Sequence, residues 1–269
     1  MKGQYSSSWK SSVKKIFKLA LFDLKDLSRI KWLWLYFIFL FAGNLFFVYL
    51  SQDFAKVLLS LLSITLLIVP LIAGFFGITY FYDSRNFIKL LLSQPIKRTE
   101  LLLGKYLALS LFLSFLFFVG SFVPLVRFIS FELILLEVSG IFLTFTFTAL
   151  SFLIGVVLEE KAKGVSLSLA LWLYFALLHD GLILTIIYIF KDYPLEKIVL
   201  ILTILSPIDL ARLIVILNLD VAALMGISGA VFKELLGSFT GILFSLFLLT
   251  LWFIVPLYLA LLFFRRKDL

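Results

Sequence analysis

Six stretches of this chain run for 20 residues or more with almost no charge, and no other feature restricts the fold as much. Uncharged apolar runs occupy 32–52, 57–82, 106–126, 138–158 and 235–264, and a sixth, 164–190, is broken only by Asp180. About 20 apolar residues cross a bilayer as a helix. Hydrophobic residues reach 63% and charged residues only 15%, against about 45–50% and 25% in soluble domains. Too little polar surface remains for a water-soluble globule. A membrane β-barrel would need segments of about ten alternating residues; long continuous runs rich in Phe and Leu favour helices instead. Two shorter apolar pieces, 198–208 and 221–232, lie between the fifth and sixth runs, bounded by Pro194, Pro207 and Gly229. They read as re-entrant or interfacial helices. The expected fold class is all-α integral membrane: residues 32–269 form one six-span domain, and residues 1–31 precede it.

The charges orient these spans. Of 24 Lys and Arg, only Lys56, Arg127, Lys191, Lys197, Arg212 and Lys233 fall on one side when the loops alternate; the rest gather on the other. Basic residues mark the cytoplasmic side, so both termini are expected inside, in an inner (cytoplasmic) membrane. Residues 1–31 are too long and basic for a signal peptide, and no small-residue cleavage site follows the first apolar run. Val13, Ile16, Phe17, Ala20, Leu21, Leu24 and Leu27 recur at helical spacing, beside Lys14, Lys15, Lys18, Lys25 and Arg29. That pattern suits an amphipathic helix lying on an anionic leaflet.

What is missing narrows the chemistry. There is no Cys, one His (His179) and two Met (Met1 and Met225). A soft-metal path needs thiolate, thioether or imidazole ligands, so the expected metal sites are none and copper should not pass through the chain. No Gly-x4-Gly-Lys-[Ser/Thr] loop occurs, since Gly104-Lys105 is followed by Tyr106 and preceded five positions back by Thr99; such a loop is what cradles nucleotide phosphates. No Gly-x-Ser-x-Gly elbow or His-Glu-x-x-His helix appears. The chain is not expected to be an enzyme or to hold a cofactor.

The loop after the second run reads Asp83-Ser84-Arg85-Asn86-Phe87-Ile88-Lys89-Leu90-Leu91-Leu92-Ser93-Gln94-Pro95-Ile96-Lys97-Arg98-Thr99-Glu100. Phe87, Leu90 and Leu91 share one helical face. Pro95 ends that helix, and Thr99 is placed to cap the next one before Leu101. Either a partner covers the apolar face, or it packs on the protein's own spans. The segment from Leu91-Leu92-Ser93-Gln94-Pro95 through Arg98 to Leu103-Gly104-Lys105 resembles the coupling-helix segment of ABC-2 type permeases, where Leu-Leu-x-x-Pro-x-x-Arg…Leu-Gly-Lys follows span two. Many members carry Glu-Gly-Thr just before it, where this chain has Asp83-Ser84-Arg85-Asn86. The resemblance implies the ABC-2 (type V exporter-like) fold, with residues 1–31 as its elbow helix and short re-entrant or outer helices between spans five and six. It implies that Arg85, Asn86, Phe87, Leu90, Leu91, Gln94, Pro95 and Arg98 face a separate cytoplasmic ABC ATPase subunit, which binds the ATP and Mg. It also implies a homodimer of permeases.

A second segment, Leu205-Ser206-Pro207-Ile208-Asp209-Leu210-Ala211-Arg212-Leu213, is similar to the Asn-Pro-x-Asp-x-x-Arg-Leu signature of permeases that serve nitrous oxide reductase maturation, with Ser206 in place of Asn. The stretch 221–232, with Met225-Gly226 and Gly229, is similar to the outer segment of the same group, as is Lys161-Ala162-Lys163-Gly164 leading into a span that carries Asp180. This likeness implies a role in assembling the reductase's copper–sulfur cluster. ATP hydrolysis would drive export of a sulfur species, or mechanical work on a periplasmic β-helical copper-handling partner. Pro207, Asp209 and Arg212 would then form the outer partner contact or gate; the bland alternative is an intrachain ion pair or cap, since Asp209 and Arg212 share a helical face. Rival readings are an ABC-2 permease exporting a lipid-linked polysaccharide, a peptide or a drug, and an ATP-independent transporter or scaffold.

Ionisable groups inside a membrane are costly and tend to be functional, which singles out His179 and Asp180. They read either as a proton relay or substrate contact, or as a polar pair bonded to a neighbouring helix. Adjacent helical residues point about 100° apart, so the two do not face one cavity together, which favours the second reading. Pro70 and Pro256 lie inside spans, as hinges or as static kinks.

Overall fold

The computed structural model describes residues 2–51, 53–92, 97–190, 196–217 and 238–266, and every regular element among them is helical. In chain order these are α1 (Lys2–Leu27), α2 (Lys31–Leu50), α3 (Phe54–Asp83), α4 (Arg85–Leu92), α5 (Arg98–Phe122) with a 3₁₀ extension to Phe128, α6 (Phe131–Val157), and α7 (Lys161–Leu173). A π-turn, Tyr174–Leu178, joins α7 to α8 (His179–Ile189). Then come α9 (Glu196–Ile204), α10 (Pro207–Ile216) and α11 (Ser238–Arg266). Six helical segments are long and apolar enough to cross a membrane: α2, α3, α5 with its extension, α6, α7–α8 and α11. Gln94, Pro95 and the 221–232 piece with Met225 lie outside the described residues.

The chain supplies its own helix starts. Asp53 Oδ1 accepts from the Ala55 N–H at 3.1 Å and opens α3; Ser130 Oγ accepts from the Leu133 N–H at 3.2 Å and opens α6. Both answer the unpaired donors of a first turn. At α5 the carboxylate of Glu100 accepts from the Lys97 N–H at 3.4 Å. Lys97 is therefore the N-cap, and Thr99, expected to cap this helix, lies inside its first turn. A Glu at the third helical position can close the turn from within, which relieves Thr99 of the task.

Two spans outrun their uncharged stretches. Helical structure covers Arg98–Phe128 and Phe131–Val157, because the charges that end the apolar runs are engaged inside the bundle rather than excluded from it. Lys105 pairs with Asp23, and Glu137 accepts from Ser121 Oγ at 2.6 Å. Both are buried. Helix α6 is the axis of the bundle, with α3, α5, α10 and α11 packed around it. It is the most enclosed span at 67% buried, against 17% for α7–α8 and for α11. The outer pair therefore presents most of its surface to lipid or to another chain. Tyr106 and Phe117 of α5 and Phe147 and Phe152 of α6 itself fill the core. Gly140 sits directly beneath the Phe117 ring, and any Cβ there would collide with it. Pro70 and Pro256 lie within unbroken helices.

Between spans five and six, α9 and α10 meet at a bend of 107°. Ser206 Oγ accepts from the Asp209 N–H at 3.2 Å, with Pro207 first in α10. On the α9 side, Trp252 Nε1 of α11 donates to the Ile204 carbonyl at 3.1 Å. Both helix ends at the corner thus have partners, as backbone away from water requires.

Candidate functional site

Two polar junctions interrupt the apolar bundle. The first surrounds α4. Arg85 opens that helix but turns its guanidinium back onto the end of α6, donating to the carbonyls of Glu159 (2.6 Å), Leu158 (2.9 Å) and Gly155 (3.2 Å). The last carbonyls of a helix lack internal partners and carry the negative end of its dipole, so a planar cation with several donors fits there. The same guanidinium lies 4.7 Å from the Tyr82 ring centroid, and Tyr82 Oη donates to the Leu158 carbonyl at 3.2 Å. Asp83 pairs with Lys161 at 2.5 Å. The α3–α4 corner is thereby fastened to the α6–α7 corner. Gly155 and Gly164 let the Phe81 and Tyr82 rings lie against the backbone there.

Helix α4 is also tied to α1. Lys105 of α5 is 3% exposed and donates to Asp23 Oδ2 of α1 at 3.2 Å. Its ammonium lies 5.1 Å from the ring centroids of both Tyr80 in α3 and Phe87 in α4. Four helices meet at one buried cation. Ile88 of α4 is buried, while Phe87 is 38% and Leu90 69% exposed. The outward apolar surface of α4 therefore includes Leu90 and part of Phe87. Arg85 faces inward, Asn86 and Leu91 belong to the helix, and Arg98 opens α5.

The second junction lies where the π-turn meets α10. His179 Nδ1 is 2.8 Å from Asp209 Oδ2. Arg212 Nη1 donates to Asp209 Oδ1 and to Asp180 Oδ1, each at 3.1 Å. Arg212 Nη2 lies 2.9 Å from Asp180 Oδ2. Adjacent residues of α8 thus straddle α10: their divergent directions, which keep them out of one common cavity, bring each to a different partner three residues apart. His179 is 2% and Asp209 5% exposed; Asp209 offers no outward docking face, and Arg212 is only partly exposed. His179, Asp180 and Asp209 bring ligand atoms within 4.8 Å of one another. All four carboxylate oxygens are already engaged by Arg212 or His179, so a cation entering here would have to displace the guanidinium. Phe175 of the π-turn packs edge-on against Trp252 at 5.6 Å, which links this network to the α9–α10 corner. Arg212 also lines a cleft of about 350 Å³ with Leu59, Leu66 and Ile208.

Residues 17–269 match the family model described as ABC-2 family transporter protein. The chain belongs to the ABC-2 transporter family. As such it is a multi-pass membrane protein of an ABC transporter family. It is 31% identical over 189 residues to the "Probable ABC transporter permease protein NosY" of Pseudomonas aeruginosa. That match covers 62% of this chain and 66% of the relative, just under two thirds of the relative's length.

For this ABC-2 family protein, sequence patterning located α4 and the α10 motif as separate features. It missed Asp23, Lys105 and the Asp83–Lys161 tie. Asp23 had a readable signal: it falls on the stripe of Ala20, Leu24 and Leu27, where a carboxylate needs a buried partner. Four ionisable residues in otherwise apolar segments, two acidic and two basic, were the equivalent signal for the second network.

Proposed function

We propose that this ABC-2 permease is a NosY-type subunit serving maturation of the copper–sulfur cluster of nitrous oxide reductase, with both termini in the cytoplasm. A cytoplasmic ABC ATPase holding ATP and Mg engages α4, two permease copies work as a homodimer, and a periplasmic β-helical protein sits at the α9–α10 end. The observation that carries the reading is the Pro207-x-Asp209-x-x-Arg212 motif, which is built into a partly buried ionic network with His179 and Asp180.

The mechanism is conformational. Closure of the ATPase dimer displaces α4. Arg85 passes that displacement to the α6 end, and Lys105 passes it to α1. Helix α6 packs directly on α10, so its movement bears on the His179–Asp209–Arg212–Asp180 latch. Opening the latch frees α10 to work as a gate for a sulfur species or as a lever on the outer partner. Copper itself does not cross, since Met1, Met225 and His179 are the only soft ligands in the chain.

The test is complementation. In a strain lacking its own permease, this chain expressed with its ATPase and periplasmic partner restores the reductase's cluster absorption. Asp209→Ala with Arg212→Ala loses it at normal protein level. Met225→Leu with His179→Gln retains it, because Gln keeps a hydrogen-bond donor for Asp209. A correctly inserted wild-type complex that leaves the reductase without its cluster refutes the maturation role. Loss of the cluster with Met225→Leu alone, which removes a thioether and no member of the latch, would show that metal meets this chain.

A further inference from the structure

A lateral groove of about 530 Å³ runs between α2 and α3, lined by Trp32, Leu35, Tyr36 and Phe39 on one side and by residues including Ile72 and Phe76 on the other. Its lining is almost wholly apolar, and it spans the first turns of α2. Trp32 is 69% exposed at its end. Trp34, two residues beyond the groove's first residue and outside its lining, donates its Nε1 to the Ser28 carbonyl at 2.7 Å. Tryptophans of this kind sit at the membrane–water interface, so the groove begins at headgroup depth and descends into the hydrocarbon.

The α1–α2 turn at that end is cationic. Lys25, Arg29 and Lys31 are exposed, and among the described residues no carboxylate pairs with any of them. The Trp34 bond to Ser28 holds this turn against the start of α2, beside Trp32. An apolar slot entered from the interface under unpaired cations matches one ligand: a phospholipid with an acyl chain in the slot and an anionic headgroup on the turn.

We propose that the α2–α3 groove is a binding site for one anionic phospholipid per chain, with its phosphate held by Arg29 and Lys31. The site is independent of the ATPase contact and of the α10 network. Surface cations attract anionic lipid, so reversing both predicts a selectivity loss of at least about tenfold.

Native mass spectrometry of the full-length protein, extracted from membranes of mixed phosphatidylglycerol and phosphatidylethanolamine, tests this. Wild type retains one phosphatidylglycerol per chain. Arg29→Glu with Lys31→Glu, a surface change that leaves the groove intact, abolishes the preference for phosphatidylglycerol. Leu35→Trp and Ile72→Trp fill the slot and lose bound lipid of either kind, whereas Ile38→Trp, at an exposed position outside the lining, retains it. Unchanged phosphatidylglycerol in the charge-reversed protein overturns the headgroup site, and equal retention in the two filled variants overturns the groove. Near-complete disulfide formation between copies carrying Leu35→Cys would assign the face to a second chain and overturn the proposal as well.

Discussion

Lys105 shows how a single residue can bind several elements. Its ammonium is sealed among Asp23, Tyr80 and Phe87, and a buried charge that loses its partner is far costlier than a buried pair replaced whole. Asp23→Ala or Lys105→Ala alone should therefore lower stability by roughly 3–5 kcal/mol, while Asp23→Leu with Lys105→Met should recover most of that loss. Thermal unfolding of the four proteins in one detergent measures it, and a double variant as unstable as the worse single one would contradict the account. At this scale the sequence was only half legible. Periodicity marked Phe87 and Leu90 as a face, yet it could not say that Arg85, placed on the partner side by resemblance, would be drawn inward. The free carbonyls of α6 that attract it are more than 60 residues away in the chain, and no local pattern encodes that pairing.

Among elements, α4 couples to its surroundings by two contrasting faces. The inward one is held by Arg85 and Ile88, the outward one carries Leu90. Leu90→Asp should leave the fold intact but abolish co-purification of the ATPase subunit, because an unpaired carboxylate would enter an apolar cleft; ATPase recovered at wild-type yield would remove α4 as its contact. Arg85→Lys keeps the charge but not the planar fork. It should lower the melting temperature, by an amount matching roughly 1.5–3 kcal/mol for the charged hydrogen bonds lost, without altering ATPase recovery. The two variants separate attachment from transmission. The helices themselves were readable from apolar runs, and their ends were less so. Run length fails as a ruler wherever a charge is satisfied inside the bundle, as at Lys105 and Glu137. The corner between α9 and α10 was foreshadowed by Pro207 and Ser206, but its angle depends on Trp252 of a distant helix.

For the whole molecule, the predicted orientation rests on the uneven distribution of Lys and Arg. The absence of Cys allows single cysteines to report it without background. Lys163 and Lys56 have side chains 68% and 77% exposed at opposite ends of the bundle. In intact cells an impermeant thiol reagent should label Lys56→Cys and spare Lys163→Cys, and membrane rupture should equalise the two; the reverse pattern would invert the molecule. Fold class was the most legible property, because six long apolar segments leave a chain few alternatives. The joining of His179-Asp180 to Asp209-Arg212 was the least, since it needs the bundle already closed. The seal around Lys105 also bears on biogenesis. Helix α1 is synthesised before α5, and its Asp23 finds its counter-ion only after α5 has emerged, more than 80 residues later. Until then Asp23 is without its lysine, so the amphipathic segment must wait at the surface and dock late. Trimming residues 1–27 to simplify expression would therefore strand an ammonium in the bundle and turn a convenient truncation into an assembly defect.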